Sequence, residues 1–164
     1  RTRRWRKLVV APVDLRERVI ALIDRERKHA EAGRPARITV KMNALVEVSV
    51  IDALYRASQA GVEIDLAIRG ICCLRAGLPG VSERIRVTSI VDRFLEHSRV
   101  FYFSNGGNPE VFLASADWMP RNFLRRIELM FPVEDAPLKA PGVDRILPTI
   151  LGDNVKARKR TVSP

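Results

Sequence analysis

Apolar residues near the start of the chain recur at the spacing of a helix. Leu15, Val19, Leu22 and Ile23 occupy positions i, i+4, i+7 and i+8, and charged residues fill most of the positions between them. This pattern predicts an amphipathic helix that continues to about Ala32. The Gly and Pro of "EAGRPA" then end it.

The residues in front of this helix predict how it begins. The apolar run 8–12 is a short strand-like segment stopped by Pro12. Asp14 is a suitable N-cap residue, and Glu17, three positions later, would complete a capping box. His29 lies in the charged part of the helix, and we expect it on the solvated surface.

The next part of the chain alternates strand, helix and strand. Segment 37–42 is short and rich in β-branched residues, which predicts a strand. Segment 49–61 has apolar residues on one helical side and stops at Gly61, a residue type that favours a helix end. Segment 62–70 alternates, which predicts a second strand with one buried face. The apolar positions on that face are Val62, Ile64, Leu66 and Ile68. Such a unit favours parallel pairing with a right-handed crossover.

Further strands follow. Residues 71–83 predict a loop rich in Gly and Pro, residues 84–90 a third strand, and residues 91–96 a short helix or turn. Two more strands, 99–103 and 110–115, are joined through "SNGGNP", which is a strong hairpin signal.

The end of the chain is less regular. Residues 115–122 ("SADWMPRN") predict a turn and residues 125–133 a last strand. Residues 138–155 have helical apolar spacing, but Pro141 and Pro148 interrupt it. The whole pattern predicts the α/β class, with a mixed β-sheet of about six strands and helices packed on it.

Composition and charge narrow the class of protein. The chain has 164 residues, of which 46% are hydrophobic and 29% charged, and this suits one folded domain. No apolar run approaches the about 18 residues of a spanning helix, and no signal-peptide core follows the basic start, so we expect a soluble, intracellular chain. The net charge of +10 and the pI of about 10.6 indicate an anionic partner: nucleic acid, an acidic membrane surface or phosphate-rich small molecules.

The two cysteines, Cys72 and Cys73, are adjacent in the sequence. Neighbouring residues rarely satisfy disulfide geometry, and no histidine at zinc-site spacing accompanies them. We therefore expect both thiols to fill buried apolar space in a reduced, cytosolic setting.

Three basic residues stand at predicted strand ends, where ligands collect in open α/β sheets. Arg69 ends one strand, His97 precedes another, and Arg126 opens the last. Arginine binds phosphate through a planar, permanently charged fork, and histidine can carry a proton or hold an anion near neutral pH. In extended backbone His97 and Arg99 would point to the same face.

Other interpretations of these groups stay open on spacing alone. A histidine beside a strand is often an ordinary edge residue, and an arginine at a strand end often pairs with a carboxylate. Asp65, Asp92 and Asp117 are available for such pairs. An anion site built from Arg69, His97 and Arg126 is therefore one interpretation among these.

Long stretches of the chain closely resemble the C-terminal part of bacterial polyphosphate kinases, and segment 5–26 resembles the lead-in to that part. The stretches that carry the resemblance are "KMN" (41–43), "IDALYRASQAGVEIDLAIRGICCLRAGLPG" (51–80), "IVDRFLEHSRVFYFSNGGNPEVFLASADWMPRN" (90–122) and "DNVKAR" (153–158). The resemblance implies a lead-in of a strand and a helix start (1–26), followed by a domain of phospholipase D-like fold (27–164).

The resemblance implies a phosphotransferase that moves the terminal phosphate of ATP to inorganic polyphosphate and runs backwards from ADP. Family members use Mg2+ and a phosphohistidine, and both the histidine and the Mg2+ ligands belong to the preceding domain, which has no counterpart here. It also implies a homo-oligomeric full-length enzyme, cytoplasmic or peripheral at the inner membrane. The isolated domain is expected to be inactive.

By position in the motifs, Arg69 in "IRG" and His97 in "EHSR" resemble family residues that contact the nucleotide phosphates. Arg126 in "RRIE" resembles a further phosphate-side arginine. These residues would form one wall of the ATP and polyphosphate site, with His97 as auxiliary acid/base or phosphate holder and no metal ligand on this chain. The sequence departs from the family pattern at "LVEVSV", at "FLRR" and at the two prolines near the C-terminus.

Two other hypotheses stay open. A basic module that binds nucleic acid or another polyanion without catalysis fits the charge, although aromatic residues are only 6% and no nucleic-acid recognition signature is present. A purely structural or assembly role would predict no phosphate binding.

Overall fold

The computed structural model describes residues 7–90, 97–135 and 157–159, with Ile90 and the last three described by their backbone only. The strands in these ranges are β1 (Val9–Ala11), β2 (Arg37–Met42), β3 (Glu63–Ile68), β4 (Ile85–Ile90), β5 (Arg99–Phe103), β6 (Glu110–Ala114), β7 (Glu128–Pro132) and β8 (Ala157–Lys159). The helices are α1 (Leu15–Glu31), α2 (Val48–Gln59) and α3 (Pro120–Arg125).

One mixed sheet holds these strands in the order β1-β7-β6-β5-β2-β3-β4-β8. The pairs β2–β3 and β3–β4 are parallel, and the other neighbouring pairs are antiparallel. Helix α2 connects β2 to β3, which confirms the predicted strand–helix–strand unit with parallel pairing. The predicted α/β class with a mixed sheet is also confirmed, although the described residues contribute eight strands rather than about six.

The main core lies between helices α1 and α2 and one face of the sheet. The strand side chains on this face are almost fully buried: Ile38, Val40, Met42, Ile64, Leu66 and Ile68. The predicted apolar face of the segment 62–70 is therefore confirmed. Because side chains alternate along a strand, the intervening residues Arg37, Thr39 and Lys41 face the opposite side of the sheet.

Helix α1 starts where the pattern predicts, but its start is not a capping box. Asp14 is the N-cap residue, yet its Oδ1 accepts a hydrogen bond from the N–H of Val10 in β1 (3.0 Å). Glu17 accepts hydrogen bonds from the guanidinium of Arg16 instead of closing the box. The Asp14 carboxylate therefore ties the helix start to the preceding strand.

His29 is not the solvated surface residue that the charge pattern predicts. It is half-buried, and its Nε2 lies 3.3 Å from Oδ1 of Asn105 in the turn after β5. A Cβ placed on Gly106 would come within 2.9 Å of the His29 ring. The hairpin turn therefore packs directly on α1, a contact between positions too far apart in sequence for periodicity to reveal.

The last predicted strand, residues 125–133, starts later in the structure than the sequence predicts. Residues 120–125 form α3, with Pro120 at the first helical position, where proline is favoured. Strand β7 begins only at Glu128, so Arg125 and Arg126 lie at the end of a helix and not in a strand. A helix of six residues has too few turns to leave a clear periodicity.

Two of the predicted elements, 91–96 and 138–155, lie outside the described residues. Strand β8 was not predicted, because three largely basic residues carry no strand alternation. The expectation for the cysteines is wrong for Cys73, which is exposed, while Cys72 is half-buried. Among the helices described here, none has the length and apolar character needed to cross a membrane.

Candidate functional site

Three neighbouring strands bring basic side chains to one edge of the sheet. Strands β2 and β3 end at this edge, and the antiparallel strand β5 begins there. The register places Lys41 of β2 between Ala67 of β3 and Val100 of β5. Arg69 follows β3 directly, and His97 and Ser98 precede β5 directly. We call Lys41, Arg69, His97, Arg99 and Asp117 the strand-end cluster.

Arg69 is held beside the end of β2 by its backbone. Its N–H donates to the carbonyl of Met42 (3.3 Å), and the N–H of Gly70 donates to the carbonyl of Asn43 (2.8 Å). A Cβ at Gly70 would lie only 3.0 Å from that Asn43 oxygen, so the close approach favours glycine. The two strands thus stay paired beyond their last residues, and this fixes where the half-buried Arg69 side chain starts.

Arg99 forms an ion pair instead of presenting an open guanidinium. Its Nε and Nη2 donate to the two carboxylate oxygens of Asp117 at 2.9 and 3.1 Å. Asp117 Oδ1 also accepts the N–H of Asn43 (2.8 Å). One of the carboxylates that spacing offered as a partner therefore holds Arg99, and the expected shared face of His97 and Arg99 stays a prediction.

His97 has an exposed side chain at this edge. Its carbonyl accepts a hydrogen bond from Arg99 Nη1 (3.0 Å), so its backbone is fixed while the imidazole is open to solvent. The structure thus places Arg69 and His97 at the same edge, just outside the ends of the two strands that flank β2.

Lys41 is the member of the cluster that sequence reasoning missed. Its Nζ donates to the carbonyl of Ser98 (2.9 Å) and lies 2.8 Å from the Ser98 hydroxyl. Partial burial, followed by the positive charges of Arg99 and Arg69, lowers the pKa of Lys41 to about 8. The sequence signal that could have identified Lys41 is a positive charge in the predicted strand 37–42, one residue before that strand ends.

Arg126 lies at the same end of the sheet but farther along the edge. It follows α3 and precedes β7, and β6 and β5 stand between β7 and β2. With neighbouring strands about 4.8 Å apart, three spacings separate β7 from β2. Arg126 is exposed, so the structure leaves it available to an extended ligand but does not bring it into the cluster.

The cluster does not suit a magnesium ion. Mg2+ binds oxygen ligands, mainly carboxylates and phosphates. Both oxygens of Asp117 are engaged by Arg99, and Glu128, the nearest carboxylate along β7, accepts from Ser115 and Asn122. Within the described residues, no three His, Cys, Asp or Glu side chains gather as metal ligands would.

The overall architecture is the phospholipase D-like α/β fold. Nuc of Salmonella typhimurium, described as a phospholipase D family member, superposes with a TM-score of 0.66 over 94% of this chain and 98% of its own. The two are 14% identical, so this likeness concerns the fold alone. The predicted fold class is confirmed.

Sequence comparisons assign the chain to one particular family. Residues 8–163 match the family model described as polyphosphate kinase C-terminal domain 2, and the chain belongs to this family. Polyphosphate kinase of Thermosynechococcus vestitus is 57% identical over 157 residues, which cover 96% of this chain and 21% of the relative. Polyphosphate kinase of Neisseria meningitidis is 54% identical over 154 residues, which cover 94% of this chain and 22% of the relative.

A crystal structure of polyphosphate kinase from Porphyromonas gingivalis superposes with a TM-score of 0.92 at 48% identity. The match covers 96% of this chain and 24% of that one. The resemblance seen in the sequence is thus confirmed at the level of the family. The chain spans between a fifth and a quarter of the length of these relatives.

Proposed function

We propose that this chain forms one wall of the ATP and polyphosphate site of a polyphosphate kinase. The full enzyme would transfer the terminal phosphate of ATP to inorganic polyphosphate, and reverse the reaction with ADP, through a phosphohistidine on a preceding domain. Family membership and the strand-end cluster support the proposal. The observation that carries it is the gathering of Lys41, Arg69 and an exposed His97 at one sheet edge.

The physical case rests on what phosphoryl transfer requires of a protein. The transition state spreads negative charge over the phosphoryl oxygens, so catalysis depends mainly on positioning and on positive charge. Arg69 can bind two oxygens of a phosphate through its fork. His97 can hold an oxygen or exchange a proton with it, because its side chain is open to solvent and its backbone is fixed.

Arg126 would serve a different part of the ligand. It lies three strand spacings from β2 along the same edge and is exposed. A single nucleotide phosphate held at Arg69 would not reach it, whereas a longer polyphosphate chain could run along the edge. We therefore assign Arg126 to the polymer and Arg69 with His97 to the reacting phosphates.

Magnesium and the rest of the reaction belong to the remainder of the enzyme in this proposal. Among the described residues, the carboxylate of the cluster, Asp117, is engaged by Arg99, so in this proposal the Mg2+ ligands would come from the preceding domain and from the phosphates themselves. The isolated chain would bind ATP and polyphosphate but turn over little or none. A cytoplasmic, homo-oligomeric full-length enzyme is part of the same proposal.

The test is calorimetric titration of this chain with ATP and with polyphosphate, for the wild type and for Arg69→Ala and His97→Ala. We expect at least a tenfold loss of affinity, about 1.4 kcal/mol, in both variants. Lys28→Ala removes an exposed positive charge from α1, away from the cluster, and should leave binding unchanged. Equal binding by all four proteins would contradict the assignment of Arg69 and His97.

The same titration separates the proposal from a basic module that binds any polyanion. A duplex DNA of equal total charge is the competitor. A preference for polyphosphate that disappears in the two cluster variants supports a phosphate site. Equal displacement by DNA with a steep salt dependence, unaffected by the variants, would favour non-specific polyanion binding.

A further inference from the structure

Two cations from different strands hold consecutive carbonyl groups beside His97. Arg99 Nη1 donates to the carbonyl of His97 at 3.0 Å. Lys41 Nζ donates to the carbonyl of Ser98 at 2.9 Å and contacts the Ser98 hydroxyl at 2.8 Å. Positive groups from β5 and β2 therefore hold the two carbonyl groups that directly follow the exposed His97 side chain.

Both of these cations are partly withdrawn from solvent. Arg99 is compensated by Asp117, and the two side chains are only 17% and 9% exposed. Partial burial, followed by the positive charges of Arg99 and Arg69, lowers the pKa of Lys41 to about 8. A lysine whose pKa is lowered in this way, and whose ammonium group also holds a backbone carbonyl beside an exposed histidine, is typical of a functional site.

We propose that Lys41 is a positioning residue for His97. Its ammonium group binds the carbonyl and the hydroxyl of Ser98 and so fixes the backbone from which the His97 imidazole extends toward a phosphate. The role acts through Ser98 and needs no contact between Lys41 and the ligand. The phosphate in this inference rests on the proposed function, whereas the positioning itself is a property of the chain without ligand.

The experiment observes the imidazole Cε1–Hε1 signals by NMR, first without ligand. The chain has two histidines, and His29 packs against Asn105 at the other end of β5, so it serves as an internal reference. Lys41→Met removes the ammonium group, and Lys41→Arg keeps a cation with several donors. Lys28→Met, on the exposed side of α1, removes the same charge elsewhere and is the matched control.

We expect the His97 signal to move in Lys41→Met, to return toward the wild-type position in Lys41→Arg, and to stay in place in Lys28→Met. The His29 signal should stay in place in both Lys41 variants, whereas in Lys28→Met, where the neighbour of His29 is changed, only the His97 signal is compared. Titration with sodium triphosphate should then show about tenfold weaker binding in Lys41→Met and a loss of at most about threefold in Lys41→Arg. A shift of both histidine signals would instead report a general change of the fold.

Two results would overturn the inference: an unchanged His97 signal in folded Lys41→Met, or no rescue by Lys41→Arg. If Lys41→Met does not fold, Ser98→Ala is the variant that tests the inference. It removes the hydroxyl that accepts from Lys41, and it should move the His97 signal in the direction expected for Lys41→Met, but less. A failure of the proposed function would give a different set of results. In that case His97→Ala binds triphosphate as well as the wild type does, while the ligand-free His97 signal still depends on Lys41.

Discussion

Arg99 and Asp117 are joined by two hydrogen bonds, of 2.9 and 3.1 Å, across 18 positions of the sequence. Asp117 Oδ1 also accepts the N–H of Asn43, which follows β2. A single carboxylate therefore ties together the end of β2, the start of β5 and the turn before α3. These are the segments that place Lys41 and His97 at one edge, so the ion pair supports the site without contacting a ligand.

Replacing this carboxylate should destabilise the chain. Asp117→Asn keeps an acceptor for Asn43 but leaves the nearly buried Arg99 guanidinium without its counter-charge, and breaking such a pair costs about 3–5 kcal/mol. Urea unfolding at pH 7 measures the change in the free energy of unfolding. Asp52→Asn on the exposed side of α2 is the control and should change it by less than about 0.5 kcal/mol. Similar values for the two variants would show that the ion pair adds no net stability.

Lys41 should make stability rise with pH above neutrality. Its pKa in the folded chain is lowered from 10.5 to about 8, so between these values the unfolded chain binds more protons than the folded one. The free energy of unfolding therefore rises as the pH passes from 8 to 10.5. Lys41→Met should lose this component, and Lys28→Met should keep it. Parallel pH profiles of the wild type and Lys41→Met in urea unfolding would refute the expectation.

Glu26 should make the free energy of unfolding fall as the pH rises through the acidic range. It is fully buried on α1 and accepts the N–H groups of Asn105 (2.8 Å) and Arg37 (3.3 Å), and burial is the main cause that raises its pKa. The protonated form is favoured by folding, so this contribution is complete below the unfolded value of 4.5 and is lost as the pH rises through the folded value. Glu26→Gln should therefore gain stability relative to the wild type between pH 4 and pH 7.

Glu26→Ala, which removes the carboxyl group altogether, is the control for this prediction. Glu26→Ala should cost about 1–3 kcal/mol at both pH values, because two backbone N–H groups lose their acceptor whatever the charge. Thermal unfolding of the three proteins at pH 4 and pH 7 separates the two effects. A stability difference between Glu26→Gln and the wild type that is the same at both pH values would argue against a buried charge.

Gly70→Ala should disturb the site more than the fold. Its new Cβ would meet the Asn43 carbonyl at 3.0 Å, so the ends of β2 and β3 must separate slightly and Arg69 must shift with them. We expect several-fold weaker triphosphate binding in calorimetry with a stability loss of about 1 kcal/mol. Gly33→Ala, after α1, strains a backbone with φ of +68° but meets no neighbour, and should cost stability without changing the affinity. Equal affinities in both variants would show that this close approach does not matter for binding.

Periodicity alone determined much of the architecture. The pattern of Leu15, Val19, Leu22 and Ile23 predicted α1, and the alternation of 62–70 predicted the buried face of β3, because both reflect one apolar side meeting a core. The hairpin after β5 followed from its turn residues. Helix α3 was not predicted in the segment before β7, and β8 was not predicted, because elements this short show little periodicity. The sequence also contained the motifs of its family, which the comparisons confirm.

Only the tertiary structure decided which charged groups meet. Sequence spacing offered Asp65, Asp92 and Asp117 equally as partners for an arginine, and the order of strands selected Asp117 for Arg99. It also placed Lys41 against Ser98, and it left Arg126 three strand spacings away from β2. Side-chain partners across a sheet depend on strand order and register, which local propensity does not encode. The sequence by itself therefore determined the elements and the family, and the packing of distant strands decided the site.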